Sequence, residues 1–392
     1  MTTATAALTK AGIRGFGFWK SLAVTLPMAL LTAVFLIGQG GTEADPFGLA
    51  ASAVTWLGLT VAFFLMLSTG KTDRIRSILF VLMALALVYT FMYEILTARG
   101  SNIVTDAVAI QGGVPFCHLV IPMIILPALA TGTIIFPGSL LTGFASIAGM
   151  LVLWLGTTLV IGRGWCSWVC FYGGWDEGFS RLLKKPVIRN IPRRWTLFPW
   201  AFLLFIVLTS ALTLSSVYCD WFCPFKAVTE YGAVNSALAV VQTVIFVSLF
   251  LGLVVVLPIL TKRRTQCGLF CPFGAMQSLT NAVNVFDVRI DTEKCASCGL
   301  CIRRCPTFSI DAESLRKGRT LLTCTKCGQC VDECPRQAVA FHIKGTGAGV
   351  RPNLARVLFL YPAFLVFALM GGGMFAFAIG HLLRFVFTGS VA

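Results

Sequence analysis

The chain has 392 residues, of which 57% are hydrophobic and 12% are charged. Soluble domains carry about 25% charged residues, so this composition excludes a soluble globular enzyme. Lys and Arg outnumber Asp and Glu by 31 to 16, and in so apolar a chain this excess indicates basic residues on the cytoplasmic side of a membrane. The 15 cysteines are odd in number and tightly clustered, which is typical of metal sites and not of a disulfide scaffold.

Long apolar stretches predict the membrane-spanning helices, each of which needs about 20 residues. Those stretches are residues 21–38, 47–68, 77–96, 140–162, 197–217, 236–260 and a last one from about 357 into the 370s. The last stretch contains three consecutive glycines, Gly371–Gly373, where we expect a kink. The predicted fold class is therefore a mainly α polytopic helical bundle.

Residues 116–136 are also apolar, but Pro122 and Pro127 interrupt them, and proline breaks a helix. The basic stretch 163–195 should lie in the cytoplasm together with the N-terminus, residues 1–20. Residues 163–195 and the N-terminus can both lie in the cytoplasm if the segment 116–136 enters the membrane from the outer side and returns to that side. We therefore expect a re-entrant segment buried against protein. Two full spans with an exception to the charge rule are the alternative.

Two runs in the polar stretch 263–345 share the pattern C-x2-C-x2-C-x3-C-P. In two-cluster bacterial ferredoxins the fourth Cys of such a run binds the other cluster. The pattern predicts one [4Fe–4S] cluster on Cys295, Cys298, Cys301 and Cys334, and another on Cys324, Cys327, Cys330 and Cys305. Zinc sites also use paired C-x2-C, but zinc does not explain the repeated run. Short strands are expected at 288–290 and 339–341, in an inserted α+β ferredoxin domain.

Six further cysteines form CxxxC pairs beside predicted spans: Cys166/Cys170, Cys219/Cys223 and Cys267/Cys271. The i, i+4 spacing places two sulfurs on one face of a helical turn, so each pair can supply half a cubane. Buried thiols that pack as small apolar groups are the alternative. Counting spans places the first and third pairs at the cytoplasmic boundary, where they are predicted to share one [4Fe–4S] cluster.

The same counting places Cys219, Cys223 and Cys117 at the outer boundary, as a further iron–sulfur or iron site. That site has three cysteines, and His118 is the nearest candidate for a fourth ligand, since histidine replaces Cys in some clusters. Asp220, water or a residue of a partner protein are the alternatives. The predicted divisions are residues 21–262 for the transmembrane domain, 263–345 for the cytoplasmic ferredoxin domain and 346–392 for a linker and last span.

These motifs together resemble the membrane-bound polyferredoxins of the NapH and NosR type, which are associated with nitrate and nitrous oxide respiration. The resemblance implies several spans, CxxxCP motifs at membrane boundaries and a cytoplasmic two-cluster ferredoxin domain. Cys166/Cys170 and Cys267/Cys271 match the membrane pairs of that family, with Phe171 in place of a proline. This chain adds a third pair and a span after the ferredoxin run, and has no outer flavin-binding domain.

We expect an electron-transfer subunit of the bacterial inner membrane without a substrate site of its own. It would conduct electrons between a cytoplasmic or quinol donor and a periplasmic acceptor, because the clusters carry the chemistry and no HExxH, CxxCH or phosphate-binding loop accompanies them. The expected partners are membrane lipid and a periplasmic redox protein containing flavin or metal, with no nucleic acid. An accessory factor that senses redox state, or reduces a metal during maturation of a respiratory enzyme, is the alternative.

Overall fold

The computed structural model describes residues 15–38, 46–99, 103–104, 117–136, 139–141, 146–228, 231–232, 234, 236–346 and 352–389. In chain order the helices are α1 (Phe18–Leu36), α2 (Pro46–Thr69), α3 (Thr72–Arg99), α4 (Ile121–Thr131), α5 (Ile147–Ile161), α6 (Trp165–Trp168), α7 (Phe171–Ser180), α8 (Phe198–Thr213), α9 (Ala237–Leu249), α10 (Leu257–Thr261), α11 (Pro272–Val283), α12 (Leu300–Arg304), α13 (Ala312–Lys317), α14 (Gln329–Asp332) and α15 (Pro352–Thr388). The strands are β1 (Ile103–Val104), β2 (Tyr231–Gly232), β3 (Phe286–Ile290) and β4 (Val339–Ile343).

Seven helical segments within the described residues are long and apolar enough to cross a membrane. They contain α1, α2, α3, α5, α8, α15 and the continuous run from α9 to α10. Their outer faces are apolar: Leu204 is 60% exposed, Val244 58% and Leu212 84%. Water would not tolerate such extended apolar faces, whereas lipid does. The predicted fold class, a helical membrane protein with an inserted ferredoxin region, is confirmed.

The proline-rich segment forms a short 3-10 turn, His118–Val120, followed by α4. Helix α4 has 11 residues, about 17 Å at 1.5 Å per residue, which is too short to cross a hydrocarbon core of about 30 Å. Pro122 lies in its first turn, where proline costs no hydrogen bond. This length favours the re-entrant segment over a full span. Residues 105–116, which lead into it, lie outside the described residues.

The chain divides into two units, each built from separated segments. Unit 1 comprises Met1–Thr90, Gly164–Gly174 and Val285–Ala392, and unit 2 comprises Phe91–Arg163 and Trp175–Asn284. The ferredoxin region therefore belongs to the same unit as the first spans and α15. Of the three CxxxC pairs, Cys166/Cys170 is in unit 1, and the other two are in unit 2.

In unit 1 the long helix α15 packs against α2 and α1. Its Phe364 ring lies 4.9 Å from that of Phe63. The glycine triplet lies inside α15, which is one continuous helix of 37 residues. A Cβ at Gly371 would lie 2.9 Å from Met83 Sδ, and one at Gly372 would lie 2.3 Å from Leu36 Cδ2. These glycines serve close helix packing, in the way small residues do in membrane bundles.

The ferredoxin region is joined to α15 through its sheet. Strands β3 and β4 pair antiparallel, with Phe286 opposite Ile343, which extends the two predicted strands. The Phe359 ring of α15 lies 4.6 Å from that of Phe341 and 5.5 Å from that of Phe286. Phe286, Phe341 and Phe359 are all buried. Apolar burial on this face holds the ferredoxin sheet against the start of the last span.

In unit 2, α8 packs against both α4 and α11, and α5 packs against α11. Strands β1 and β2 form a short parallel pair. Arg163, at the end of α5, donates from its backbone N–H to Asn281 Oδ1 (3.0 Å) and from Nη1 to Ser278 Oγ (2.8 Å). Its Nη2 donates to the Cys267 carbonyl (2.9 Å). One buried guanidinium thus ties the end of a span to the third CxxxC pair.

Candidate metal centres

The two ferredoxin runs adopt the same backbone. Ser297 and Lys326, each just before the second Cys of its run, have φ of +48° and +51°. Gly299 and Gly328, each just after that Cys, have φ of +66° and +90°. Left-handed residues are costly outside glycine, so their recurrence at equivalent positions marks a required loop shape. The sequence repeat is therefore also a structural repeat.

The first predicted ligand set lines one cavity, which contains Cys295, Cys298, Cys301 and Cys334. Burial raises the pKa of the Cys301 thiol to about 11, and the nearby thiols of Cys334, Cys295 and Cys298 raise it further. Thiolates so crowded repel one another, and a bound cation relieves that repulsion while releasing the protons. The donor set fits a [4Fe–4S] cluster, whose ligands are four cysteine thiolates.

The second set is more deeply buried. Burial raises the pKa of the Cys330 thiol well above its usual range, and Cys327, Cys324, Cys305 and Cys301 add to the shift. Cys327, Cys324 and Cys305 are the other members of the predicted ligand set of Cys330. The last, Cys301, belongs to the first set, so the two sets adjoin. The exchange of the fourth cysteine between runs, predicted from spacing, agrees with these neighbours.

Cys305 and Cys334, which precede proline in the two runs, each accept a hydrogen bond from a backbone N–H. Cys305 has φ −63° and ψ 115°, the extended conformation imposed on a residue before proline. The N–H of Ser309 donates to Cys305 Sγ (3.2 Å), and that of Ala338 donates to Cys334 Sγ (3.3 Å). Backbone N–H groups aimed at sulfur stabilise a thiolate and tune a cluster's potential.

The second set lies directly against the Cys166/Cys170 segment within unit 1. Arg76 of α3 donates from Nη1 to the Ser167 carbonyl (2.9 Å) and from Nε to the Cys327 carbonyl (3.1 Å). Trp168 Nε1 donates to the Lys326 carbonyl (3.2 Å). Arg76 is 1% exposed and is paired with Asp73 at 2.7 Å. Buried hydrogen bonds thus connect a ferredoxin loop to the residues between Cys166 and Cys170.

The three CxxxC pairs follow a common turn. Gly162, Leu214 and Lys262, which end the preceding helices, have φ of +56°, +47° and +56°. Each lies four or five residues before the first Cys of its pair. The second and third pairs then wind through π-helical turns, Tyr218–Phe222 and Gln266–Phe270. Each of these turns ends at a Cys–Pro, with the Cys extended.

The two π-helical turns of unit 2 meet at equivalent residues. Tyr218 and Gln266 each precede the first Cys of their pair, and Gln266 Nε2 donates to Tyr218 Oη at 3.3 Å. The thiols of Cys223, Cys271, Cys219 and Cys117 all lie within electrostatic range of the buried Tyr218. Tyr218 therefore lies between the second and third pairs.

The segment of the second pair packs back along the helix that precedes it. After Thr213 the chain turns back along α8, so that the Phe222 ring lies 5.3 Å from Phe202 and 6.2 Å from Phe205. Phe205 lies about 12 Å before the end of α8, measured along the helix axis. Gln242 of α9 also donates to the Asp220 carbonyl (3.0 Å). The position of this pair at the outer boundary stays a prediction, and span counting does not anticipate that the chain returns along α8.

The shared site of Cys117, Cys219 and Cys223 stays a prediction, because among the described residues no three His, Cys, Asp or Glu side chains lie close enough to hold a metal ion. Cys223 and Cys117 are the first two thiols within electrostatic range of Cys219. The next residue, His118, is fully buried, and its ring lies 5.0 Å from that of Phe273, two residues after Cys271. His118 thus lies on the side of the third pair, and its role as a fourth ligand stays a prediction.

Charged side chains surround Cys267 in the interior of unit 2. Arg264 is fully buried, and its Nη2 donates to Cys267 Sγ at 3.1 Å. Its Nη1 lies 3.6 Å from Glu177 Oε2. The Cys267 N–H donates to Asp176 Oδ2 (2.9 Å), and burial raises the pKa of Asp176 to about 7 against the opposing charge of Arg264.

These contacts were missed by sequence reasoning, which considered the arginines only as markers of sidedness. Arg264 belongs to the Lys262–Arg264 basic run and Arg163 to the basic stretch after α5. Arg163 and Arg264 each lie within four residues of a CxxxC pair, and this proximity was the signal in the sequence that could have identified them. The predicted cluster on Cys166, Cys170, Cys267 and Cys271 draws on both units and stays a prediction. None of the 15 cysteines, all within the described residues, forms a disulfide.

Comparison with known families agrees with both groups of motifs. A family model of a 4Fe-4S dicluster domain matches residues 287–335, which contain all eight ferredoxin cysteines. A model of a 4Fe-4S binding domain matches three consecutive segments, 142–190, 195–235 and 243–289. The chain is an iron–sulfur protein. Each of the three segments of this iron–sulfur protein contains one apolar helix and one CxxxC pair, so the spans with their pairs are a triplicated element.

No curated protein and no solved structure gives a significant match to the iron–sulfur protein. The two family models cover 4Fe-4S binding segments in general. They do not separate the NapH and NosR type from other membrane proteins that carry such segments.

Proposed function

We propose that this protein conducts electrons across a bacterial inner membrane, from a donor at the cytoplasmic ferredoxin region to an acceptor on the periplasmic side. When bound, [4Fe–4S] clusters supply one-electron transfer at potentials set by their surroundings. The protein holds the ligand sets at short separations and keeps water from the buried ones. The abundance of Lys and Arg in 163–195 supports a cytoplasmic ferredoxin region.

The observation that carries the proposal is the junction in unit 1. The loop of the second ferredoxin set touches the segment that contains Cys166 and Cys170 through the Trp168–Lys326 hydrogen bond. Arg76 adds a bridge by donating to the carbonyls of both Cys327 and Ser167. Electron tunnelling falls steeply with distance, so direct contact between the two cysteine-bearing segments provides a route that a separate soluble domain would lack. Burial of Arg76 and Trp168 fixes this junction, because a buried charge and indole require their hydrogen bonds.

Unit 2 provides the part of the route that lies within the membrane. The Tyr218–Gln266 hydrogen bond joins the turn of Cys219 and Cys223 to the turn of Cys267 and Cys271. Cys117 joins the Cys219 site from the re-entrant segment. Cys223 and His118 are buried and Cys117 and Cys219 are partly buried, and polar or thiol groups within a membrane are costly without a function. We propose that Cys117, Cys219 and Cys223 hold an iron–sulfur or iron centre with His118 or another fourth ligand.

The partners follow from this arrangement and from the resemblance to the NapH and NosR type. Membrane lipid surrounds the spans, a flavin- or metal-containing periplasmic protein accepts the electrons, and quinol is a second candidate donor. The division into a transmembrane domain (21–262), a ferredoxin domain (263–345) and a last segment (346–392) remains part of the proposal.

The test is to count metal centres by ligand set. We expect the purified protein to show, by iron assay and electron paramagnetic resonance, more centres than the two of the ferredoxin region. Cys219→Ser/Cys223→Ser should remove one centre and leave the ferredoxin signals unchanged, and Cys324→Ser should remove a ferredoxin signal only. A wild-type protein with two ferredoxin clusters and no other iron would refute the proposal. Intact electron flow in a deletion strain whose target enzyme lacks metal would instead favour the accessory role.

A further inference from the structure

The first ferredoxin ligand set reaches the surface. Cys298 is exposed, and the two residues before it, Ala296 and Ser297, are exposed and small. In the second set Cys305, Cys327 and Cys330 are buried. Small side chains allow another molecule to approach this edge closely. The Cys298 edge is therefore where a large electron donor comes nearest to a ligand set.

The Cys298 edge has a basic rim. We define the rim as Arg303, Arg316 and Arg336, all of which are exposed. Arg303 Nη1 lies 3.4 Å from the position that a Cβ on Gly299 would occupy, and Arg336 lines the same cavity as the four cysteines. Arg316 follows Leu315, another lining residue. Arg303 and Arg336 thus lie beside the approach to Cys298, and Arg316 is next in the chain to a residue that lines the same cavity.

Three acidic residues near the rim are paired with other basic residues, and a fourth, Glu293, is exposed two positions before Cys295. Glu333 binds Arg304 (3.0 Å), Glu313 binds Lys317 (2.6 Å) and Asp291 binds Lys294 (2.7 Å). Within the described part of the chain, Arg303, Arg316 and Arg336 form no salt bridge of their own. The three rim arginines therefore outnumber Glu293, and the rim carries an excess of positive charge.

The opposite side of the ferredoxin region is already occupied within unit 1. Arg76 and Trp168 contact the loop of the second set, and Phe359 covers the sheet. A protein donor can therefore reach the ferredoxin region at the Cys298 edge without displacing a span. This geometry gives the two ligand sets different tasks: the exposed set receives electrons and the buried set transmits them.

We propose that the basic rim docks an acidic one-electron carrier protein, of the flavodoxin or acidic ferredoxin class, which donates electrons at the Cys298 edge. This inference rests on the proposed electron-transfer function and identifies its cytoplasmic donor. In each encounter the reduced carrier loses one electron and this protein gains one, with no bond formed or broken. Complementary charge steers such encounters and raises the association rate about 10- to 1,000-fold.

The test is stopped-flow reduction of the full-length protein in detergent by chemically reduced flavodoxin, monitored by cluster absorbance. Arg303→Glu/Arg336→Glu should lower the second-order rate constant roughly tenfold at low ionic strength. The difference should shrink as salt screens the charges. Lys184→Glu/Lys185→Glu makes the same charge change at exposed residues outside the rim, and should stay close to wild type. Equal rate constants for the rim variant and the wild type at every salt concentration would overturn the docking proposal.

Dithionite separates this failure from failure of the proposed function. It is a small inorganic reductant and needs no docking surface, so it should reduce the rim variant and the wild type to the same extent. If dithionite reduces the centres of unit 2 but flavodoxin reduces the rim variant as fast as the wild type, only the docking proposal is wrong. If dithionite reduces ferredoxin clusters and no other centre exists, the electron-transfer route itself is wrong.

Discussion

Arg264 is the residue whose chemistry bears most directly on a predicted membrane ligand. Its Nη2 donates to Cys267 Sγ at 3.1 Å in the interior of unit 2. A positive donor stabilises the reduced, more negative state of a centre on that thiolate. We therefore expect Arg264→Gln to lower the midpoint potential of that centre on the order of 60 mV, the equivalent of a tenfold change for one electron. A redox titration monitored by electron paramagnetic resonance measures it.

The control for Arg264 lies in the same ion-pair network. Arg181 also binds Glu177 but is partly exposed, so Arg181→Gln should leave the potential near that of the wild type. Arg264→Lys retains the charge and should recover part of the shift. Iron content establishes whether each variant keeps its centre. An unchanged potential in an Arg264→Gln protein with full iron content would contradict the role of the hydrogen bond.

At this scale the sequence predicted the cysteines well and their charged neighbours poorly. Spacing within a run of 11 residues identified Cys324, Cys327, Cys330 and Cys334, because cluster geometry is local. Nothing local links Arg76 to the Cys327 carbonyl, since the two are separated by 251 positions in the chain. Such pairings are set by tertiary packing, which periodicity and spacing do not encode.

At the scale of elements, the connection between α3, the Cys166/Cys170 segment and the second ferredoxin loop depends on Arg76. We expect Arg76→Met to destabilise this junction by about 3–5 kcal/mol, because it leaves the buried Asp73 without its ion pair. Hydrogen exchange should then speed up in residues 164–170 and 324–330. Electron transfer from the ferredoxin clusters to any further centre should slow while the ferredoxin signals persist.

Arg74 provides the matched control for this substitution. It lies two residues before Arg76 on the same turn of α3 but is exposed. Arg74→Met should leave exchange in both segments unchanged, because surface charges contribute little. Equal protection of 164–170 and 324–330 in the wild type and Arg76→Met would show that this contact does not hold the junction.

Elements were predicted where one physical signal dominated. Seven apolar stretches predicted seven helices, because hydropathy and length determine spans. Pro122 and Pro127 correctly set residues 116–136 apart. The return of the Cys219/Cys223 segment along α8 was missed, since its polar flanks resemble an ordinary loop. The close packing of the α15 glycines was missed because sequence does not show the Met83 and Leu36 side chains that approach them.

At the scale of the whole molecule, a triplicated element accounts for the six cysteines of the CxxxC pairs, and Cys117 lies outside it. One span followed by one CxxxC pair recurs in three matched segments. In unit 2 the second and third copies meet through Tyr218 and Gln266. Their π-helical turns show that these two copies share a local structure. The re-entrant turn after α8 brings the second copy back to the third.

Electron conduction across a sealed membrane is the most direct test of the account. The protein would be reconstituted into liposomes that contain ferricyanide, with dithionite supplied outside. We predict that wild-type protein reduces the enclosed ferricyanide faster than protein-free liposomes do, and that Cys219→Ser/Cys223→Ser abolishes the gain while the ferredoxin clusters stay reducible. Wild-type liposomes no faster than protein-free ones, or a variant as fast as the wild type, would contradict the route through Cys117, Cys219 and Cys223.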